Sequence, residues 1–534
     1  MRDTVTGARA AIKRYDGSPM LALLLAANLG VSHFTATGPA ACRQKVLEGV
    51  LALHSFAYED ARDAFVEAEK AAPCPIAFWG EAMTWDHPLW GEQDAARGKA
   101  ALARIPADAK LSPMERGLIE AAGALYDSGH AAWMERLARL HAELPKDDEV
   151  ALFYALSLYA NSGHGADVKR AMEAAAIAQD VFERNPSHPG AAHYLIHACD
   201  SPDHAVLALK AALRYAQIAP AAGHALHMPS HIFVQLGMWP QVEASNLAAV
   251  KAGMEFVARH ELPVSRADWH SYSWLAEARL EQGKFDEVLP MIARVRELAA
   301  QTKDPELRYA QAMLALQWLS ATQEWSRTGE LLAMDPLAAE DEPGYVDTQL
   351  KYEGPDHTPY ELAARVFAAR ARLDAAAAAG DETETAEAAA QWNAVRARFA
   401  AKARYGARYL EIGQLIAKAK EAQAHSLRIS GDIGAAIEAT RALADVEDKL
   451  PASGPALVRP AREELGDLLV RSHRFAEAEE AFRKALDLRP NRLHALRGLE
   501  ESALSAGDAR ASAEARSRLS AQLGAPAVPR RLTE

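Results

Sequence analysis

The sequence predicts an all-α protein built of helix–turn–helix repeats, and three observations carry that reading. Half of the 534 residues are hydrophobic, and this apolar content is dominated by Ala and Leu, strong helix formers, rather than by β-branched runs. Small residues, an aromatic and a closing proline recur at fixed helical offsets in several stretches. Two histidine pairs, His193/His197 and His227/His231, repeat the same four-residue spacing 34 residues apart, the length of one helix pair.

The chain begins with Arg9, Lys13 and Arg14 ahead of an apolar run, MLALLLAANLG, from Met20 to Gly30. The run is too short to span a bilayer but fits the core of a secretory signal. Residues 1–32 therefore read as a signal peptide or N-terminal extension, with Gly30 and Ser32 permitting cleavage before His33. A first amphipathic helix, or initiation at Met20, are the alternatives. Cleavage after Ser32 would leave His33 with an α-amine and an imidazole that can chelate copper together. No other segment approaches membrane-spanning length.

Residues 33–334 form the first repeat region. In QKVLEGVLALHSFAYEDARDAFVEAEKAAP, the small residues Gly49, Ala61 and Ala68 allow close helix packing, Phe65 fills the gap between helices, and Pro73 ends the second helix. Trp79 opens the next unit. Further helix pairs stop at Pro145 and Pro186. The two histidine-bearing units follow, and Gly283 and Phe285 then mark another inter-helix turn. Residues 335–360 are acidic and carry Pro336, Pro343, Pro355 and Pro359, so they read as a long loop, either a lid or a plain linker. Residues 361–445 are helical but only loosely periodic. Residues 446–534 hold the clearest repeat, ELGDLLVRSHRFAEAEEAFRKALDLRP, with Leu465, Gly466, Leu469, Ala478, Phe482, Ala485 and Pro490 in register. A short tail after Ala525 is expected to lack order.

These positions resemble the tetratricopeptide repeat across most of residues 42–520. The phrases LALHSFAYEDA, WDHPLWG, HYLIHACD, HMPSHIFVQLG and RPAREELGDLLV are also similar to those of an exported bacterial subfamily of that repeat. The resemblance implies a right-handed α-solenoid whose concave groove is lined by the first helix of each pair. It implies no particular reaction.

The formal net charge is −13, which argues against nucleic acid or an anionic membrane as the main partner. Nine of the 19 histidines fall between His188 and His270. Residues four apart on a helix share a face, so each pair offers two imidazoles at once. Neutral imidazole is the commonest nitrogen ligand for transition metals. The repeat period sets His193 beside His227 and His197 beside His231, so these four are the expected ligands of a zinc or copper ion, with iron also compatible. His224, one turn before His227, and His270, opening the next first helix, are candidate acid/base groups. Asp200 is a third such group, and it could instead accept the second ring N–H of a ligand. His54 and His87 lie near the groove end of earlier first helices, and His188 and His204 read as surface residues.

Other motifs exclude more than they support. HYLIH has the zincin spacing but places Tyr194 where that helix needs its glutamate base. The chain shows no Gly-rich phosphate loop, nucleophile elbow or CxxC pair. Cys42 and Cys74 bracket one repeat, and either a disulfide or two free thiols fits them. Cys199 reads as a small core residue, and Trp79, Trp85, Trp90, Trp239 and Trp269 as core bulk. The expected protein is thus an exported, periplasmic or secreted solenoid that binds a divalent transition metal and a peptide, protein or small molecule in its groove. A metal-dependent hydrolase or oxidoreductase, and a metal-free protein-binding scaffold, are the alternatives.

Overall fold

The computed structural model describes residues 29–524 except 72, 91, 164, 335, 337–357, 404–406, 429–432 and 451–453. Most of the expected signal segment, nearly all of the acidic loop and the C-terminal tail therefore lie outside the described residues. The chain divides into two compact units, Met1–Ala198 with Leu213–Leu226, and Cys199–Ala212 with His227–Glu534. Both are all-α and made of stacked helix pairs. The β-structure among the described residues is one two-stranded hairpin, Asp86–His87 with Glu92–Gln93.

In the first unit, helices Ala40–His54 and Tyr58–Glu69 pack as an antiparallel pair, and Pro75–Met83 follows against the second. The close packing comes from the small residues seen in the sequence. Phe65 is fully buried and lies between Gly49 and Gly80. A Cβ on Gly49 would sit 2.7 Å from its ring, and one on Gly80 would collide with it. Helix Pro113–Ser128 starts from a capping box, in which Ser112 and Glu115 satisfy each other's backbone N–H. Cys42 and Cys74 are joined by a disulfide. Residues 29–36 form an extended strap with alternate side chains buried, and Phe34 stacks on Trp79.

The second unit repeats the same device at its C-terminal end. Phe482 is fully buried between Gly466 and Gly498, so helices Ala461–Arg471, Phe475–Leu488 and Leu493–Ala506 close on one ring. Nearby, buried Arg492 reaches Glu463, Glu277 and Glu281. That charge cluster ties helix Trp269–Glu281 to the C-terminal repeat. Residues 358–447 supply four further helices. Among the described residues no helix is long and apolar enough to cross a membrane.

Because Phe482 fills a gap that two glycines leave open, truncation there creates a cavity that no neighbour can fill. Phe482→Ala should lower unfolding stability by about 3–5 kcal/mol, measured by denaturant titration, whereas truncating the exposed Leu504 should change it little.

Candidate metal centres

In the first unit, helix Pro189–Ala198 carries His193 and His197, whose ring centres lie 4.7 Å apart. The short helix Gly223–His227 brings in His224, with its Nε2 3.1 Å from that of His193. One ligand atom from each of the three lies within 4.8 Å of the others. His193 Nδ1 donates to the backbone oxygen of His54 at 2.7 Å. A carbonyl can only accept, so the proton sits on Nδ1 and the neutral ring keeps its lone pair on Nε2. Phe56, just past the end of helix Ala40–His54, adopts a left-handed backbone with φ of 54°, unusual for a bulky residue. That conformation sets its ring against His193, His197 and His224, at 4.4, 5.9 and 5.5 Å.

In the second unit, His227, His231 and His270 form an equivalent set. His227 Nδ1 donates to Asn246 Oδ1 at 2.7 Å. The Asn246 amide is oriented by its own N–H bond to the Val242 carbonyl. His231 Nδ1 donates to Asp200 Oδ2 at 2.7 Å, and Gln235 holds the other Asp200 oxygen. Both rings thus turn an Nε2 lone pair inwards, and these two atoms lie 3.1 Å apart. Two lone pairs at that distance repel unless a proton or a cation lies between them. His270, the exposed member, packs on His227 and Trp274. Partial loss of hydration, with the His231 ring adding to it, pushes His270 below its ordinary range against the pull of the Asp268 carboxylate. It is therefore neutral, as a ligand must be.

A third group supports the first. Glu149 is buried, and its carboxylate accepts from His54 Nε2 at 2.8 Å, from His188 Nε2 at 3.0 Å and from Ser32 Oγ of the strap. The Tyr194 hydroxyl lies 2.8 Å from His54 Nδ1. Glycine is needed at 190, because a Cβ there would sit 2.5 Å from His54 Nδ1. His188 is thus a buried residue rather than the surface one its NPSHPG context suggested: the turn is where expected, but its ring points inwards to Glu149. Burial alone would raise the Glu149 carboxyl. His188 and His54 more than offset that and hold it well below the usual carboxylate range. Stability from this group is fully present above the unfolded carboxylate range, declines as pH falls below it, and is lost as pH passes through the depressed folded value. Glu149→Gln should cost about 3 kcal/mol at pH 7, with the difference from wild type shrinking below pH of about 4. Thermal unfolding across pH measures both.

The structure brings His224 to His193 and His197, and His270 to His227 and His231. The four-ligand set expected of His193, His197, His227 and His231 is divided between the two units, each pair gathering a third imidazole within its own unit. Asp200 contacts a ring N–H of His231. His54 supports His193 through its carbonyl, and His204 bonds Ser201. Cys199 is a buried free thiol, pushed up to about 12 by burial with Asp200 adding. Trp79, Trp239 and Trp269 are buried as expected, but Trp90 is 50% exposed, because it stands at the hairpin tip.

No protein-family model and no curated protein matches the chain. Among solved structures, a human IFIT1 dimer with m7Gppp-AAAA is 13% identical over 95% of each chain, at a TM-score of 0.31. Yeast Tom70 is 10% identical over 88% of this chain and 96% of its own, at 0.32. A Naa15/Naa10 complex bound to HypK-THB is 11% identical over 90% of this chain and 70% of its own, at 0.23. Likenesses this remote carry no information about the site.

Proposed function

We propose that this is a metal-binding helical-repeat protein in which each three-histidine set holds one transition-metal ion through its Nε2 atoms. The observation that carries this reading is the pair of facing Nε2 atoms in each set, 3.1 Å apart, with the Nδ1 of His193, His227 and His231 each committed to a fixed acceptor. Two nitrogens bound to one tetrahedral zinc at its usual bond length lie about 3.3 Å apart, so the spacing fits ligands that share an ion. Zinc or copper suits an all-imidazole set, and iron is compatible. Three protein ligands leave a position open, which favours an exchangeable water, substrate or peptide donor over a closed structural ion. A metal-dependent hydrolase or oxidoreductase is the second reading, and that open position is what favours it.

The Cys42–Cys74 disulfide supports an oxidising compartment such as the periplasm or the exterior. This agrees with the signal-like N-terminal run.

Metal analysis of the purified, reconstituted protein should find two ions per chain. A His193→Ala/His197→Ala variant and a His227→Ala/His231→Ala variant should each retain one. Folded wild-type protein that takes up no metal would leave a metal-free, partner-binding scaffold. In the second unit, Asp200→Asn weakens the acceptor that fixes the His231 ring, and should cost 10- to 100-fold in metal affinity by competition with a chromogenic chelator.

A further inference from the structure

We propose that the open side of the His193–His197–His224 centre takes a small aromatic ligand, which gives an oxygen donor to the metal and lays its ring on Trp90. This rests on the metal reading above and adds the ligand class.

The argument starts from the hairpin. Strands Asp86–His87 and Glu92–Gln93 are antiparallel. Gln93 donates to Asp86 at 2.7 Å, and His87 Nδ1 donates to Glu92 at 3.0 Å. The His87 ring stacks on Tyr58 at 3.9 Å. A tight, side-chain-pinned turn of this kind holds its tip residue in place, and that residue is Trp90. The indole is held edge-on by Phe56, Tyr58, His87 and His224, at 5.9, 5.4, 5.4 and 5.9 Å, yet half of its surface faces solvent. Tryptophan is usually mostly buried, so a rigidly supported, half-exposed ring beside a ligating histidine is a platform.

Among the described residues, the phenylalanine and tyrosine rings packed on this centre are buried. Phe56 and Tyr58 are 5% and 3% exposed, and Tyr194 and Tyr215 are buried. An approaching ligand therefore meets one exposed aromatic surface and one metal position next to it. Small-molecule sites combine an apolar wall with a few polar anchors. Here the indole is the wall and the metal is the anchor. A planar ring bearing a hydroxyl or carboxylate oxygen uses both, and a ring-free donor uses only the metal.

The test uses the full chain carrying His227→Ala/His231→Ala, so that only the first centre loads, with cobalt(II) as the ion. 4-Nitrocatechol is the ring-bearing probe, read by its absorption shift on metal binding. Acetohydroxamate, an oxygen donor without a ring, is the competitor. Trp90→Ala should leave metal content and acetohydroxamate affinity unchanged and weaken 4-nitrocatechol by about 3- to 10-fold, the size of one aromatic contact. Trp90→Phe should recover most of that loss. Unchanged 4-nitrocatechol affinity in Trp90→Ala, or an equal loss for both probes, would overturn the proposal while leaving the metal reading in place. Failure of cobalt to bind at all would remove both.

Discussion

The geometry of both histidine sets depends on where the Nδ1 protons are. An imidazole that can donate from either nitrogen has no fixed direction for its lone pair. Here the acceptors decide it: the His54 carbonyl for His193, the Asn246 amide oxygen for His227 and the Asp200 carboxylate for His231. Each of those acceptors is itself held. His54 is buried between Glu149 and Tyr194, Asn246 is bonded to the turn below it, and Asp200 is shared with Gln235. Fixed tautomers on rigid helices turn several histidines on one face into converging donors rather than a polar patch.

The same logic explains what could be read from the sequence. Four-residue spacing on a helix is a backbone property, so the pairs His193/His197 and His227/His231 were legible. The third member of each set was not, because it comes from another element. His224 is only three residues from His227, yet the two belong to different sets, and no spacing rule separates them. Glu149 gave no signal either. In DEVALF an acidic residue in the first turn reads as ordinary complement to the helix dipole, and nothing local shows that it gathers Ser32, His54 and His188. The left-handed Phe56 was equally hidden, because nothing in HSFAY marks a bulky residue for that conformation.

The repeat itself was legible where one rule was repeated. Glycine, aromatic and glycine are spaced so that one ring wedges between two helices, as with Gly49, Phe65 and Gly80, and again with Gly466, Phe482 and Gly498. Between these ends the contact survives with altered residues. Gly98 faces the Tyr126 ring and Gly117 faces Leu140, so the packing is conserved in kind while the sequence pattern fades. Over residues 98–140 the fading of the repeat pattern therefore reflects exchange of the wedge residue rather than loss of the helix pair.

The two sets differ in how they would treat a cation. In the second unit, the carboxylate of Asp200 lies one imidazole away from the shared Nε2 position and offsets charge placed there. It also makes the His231 ring a stronger donor than one bonded to a neutral acceptor. In the first unit, the acceptor behind His193 is a neutral carbonyl, and the buried carboxylate beyond it, Glu149, already accepts from three donors. A divalent ion loses more hydration than it regains in an apolar, aromatic-walled site unless an anion comes with it. An anionic oxygen from an incoming ligand supplies that charge at the first centre, so there ligand binding and metal binding are expected to reinforce each other. At the second centre part of the offset is already built into the chain.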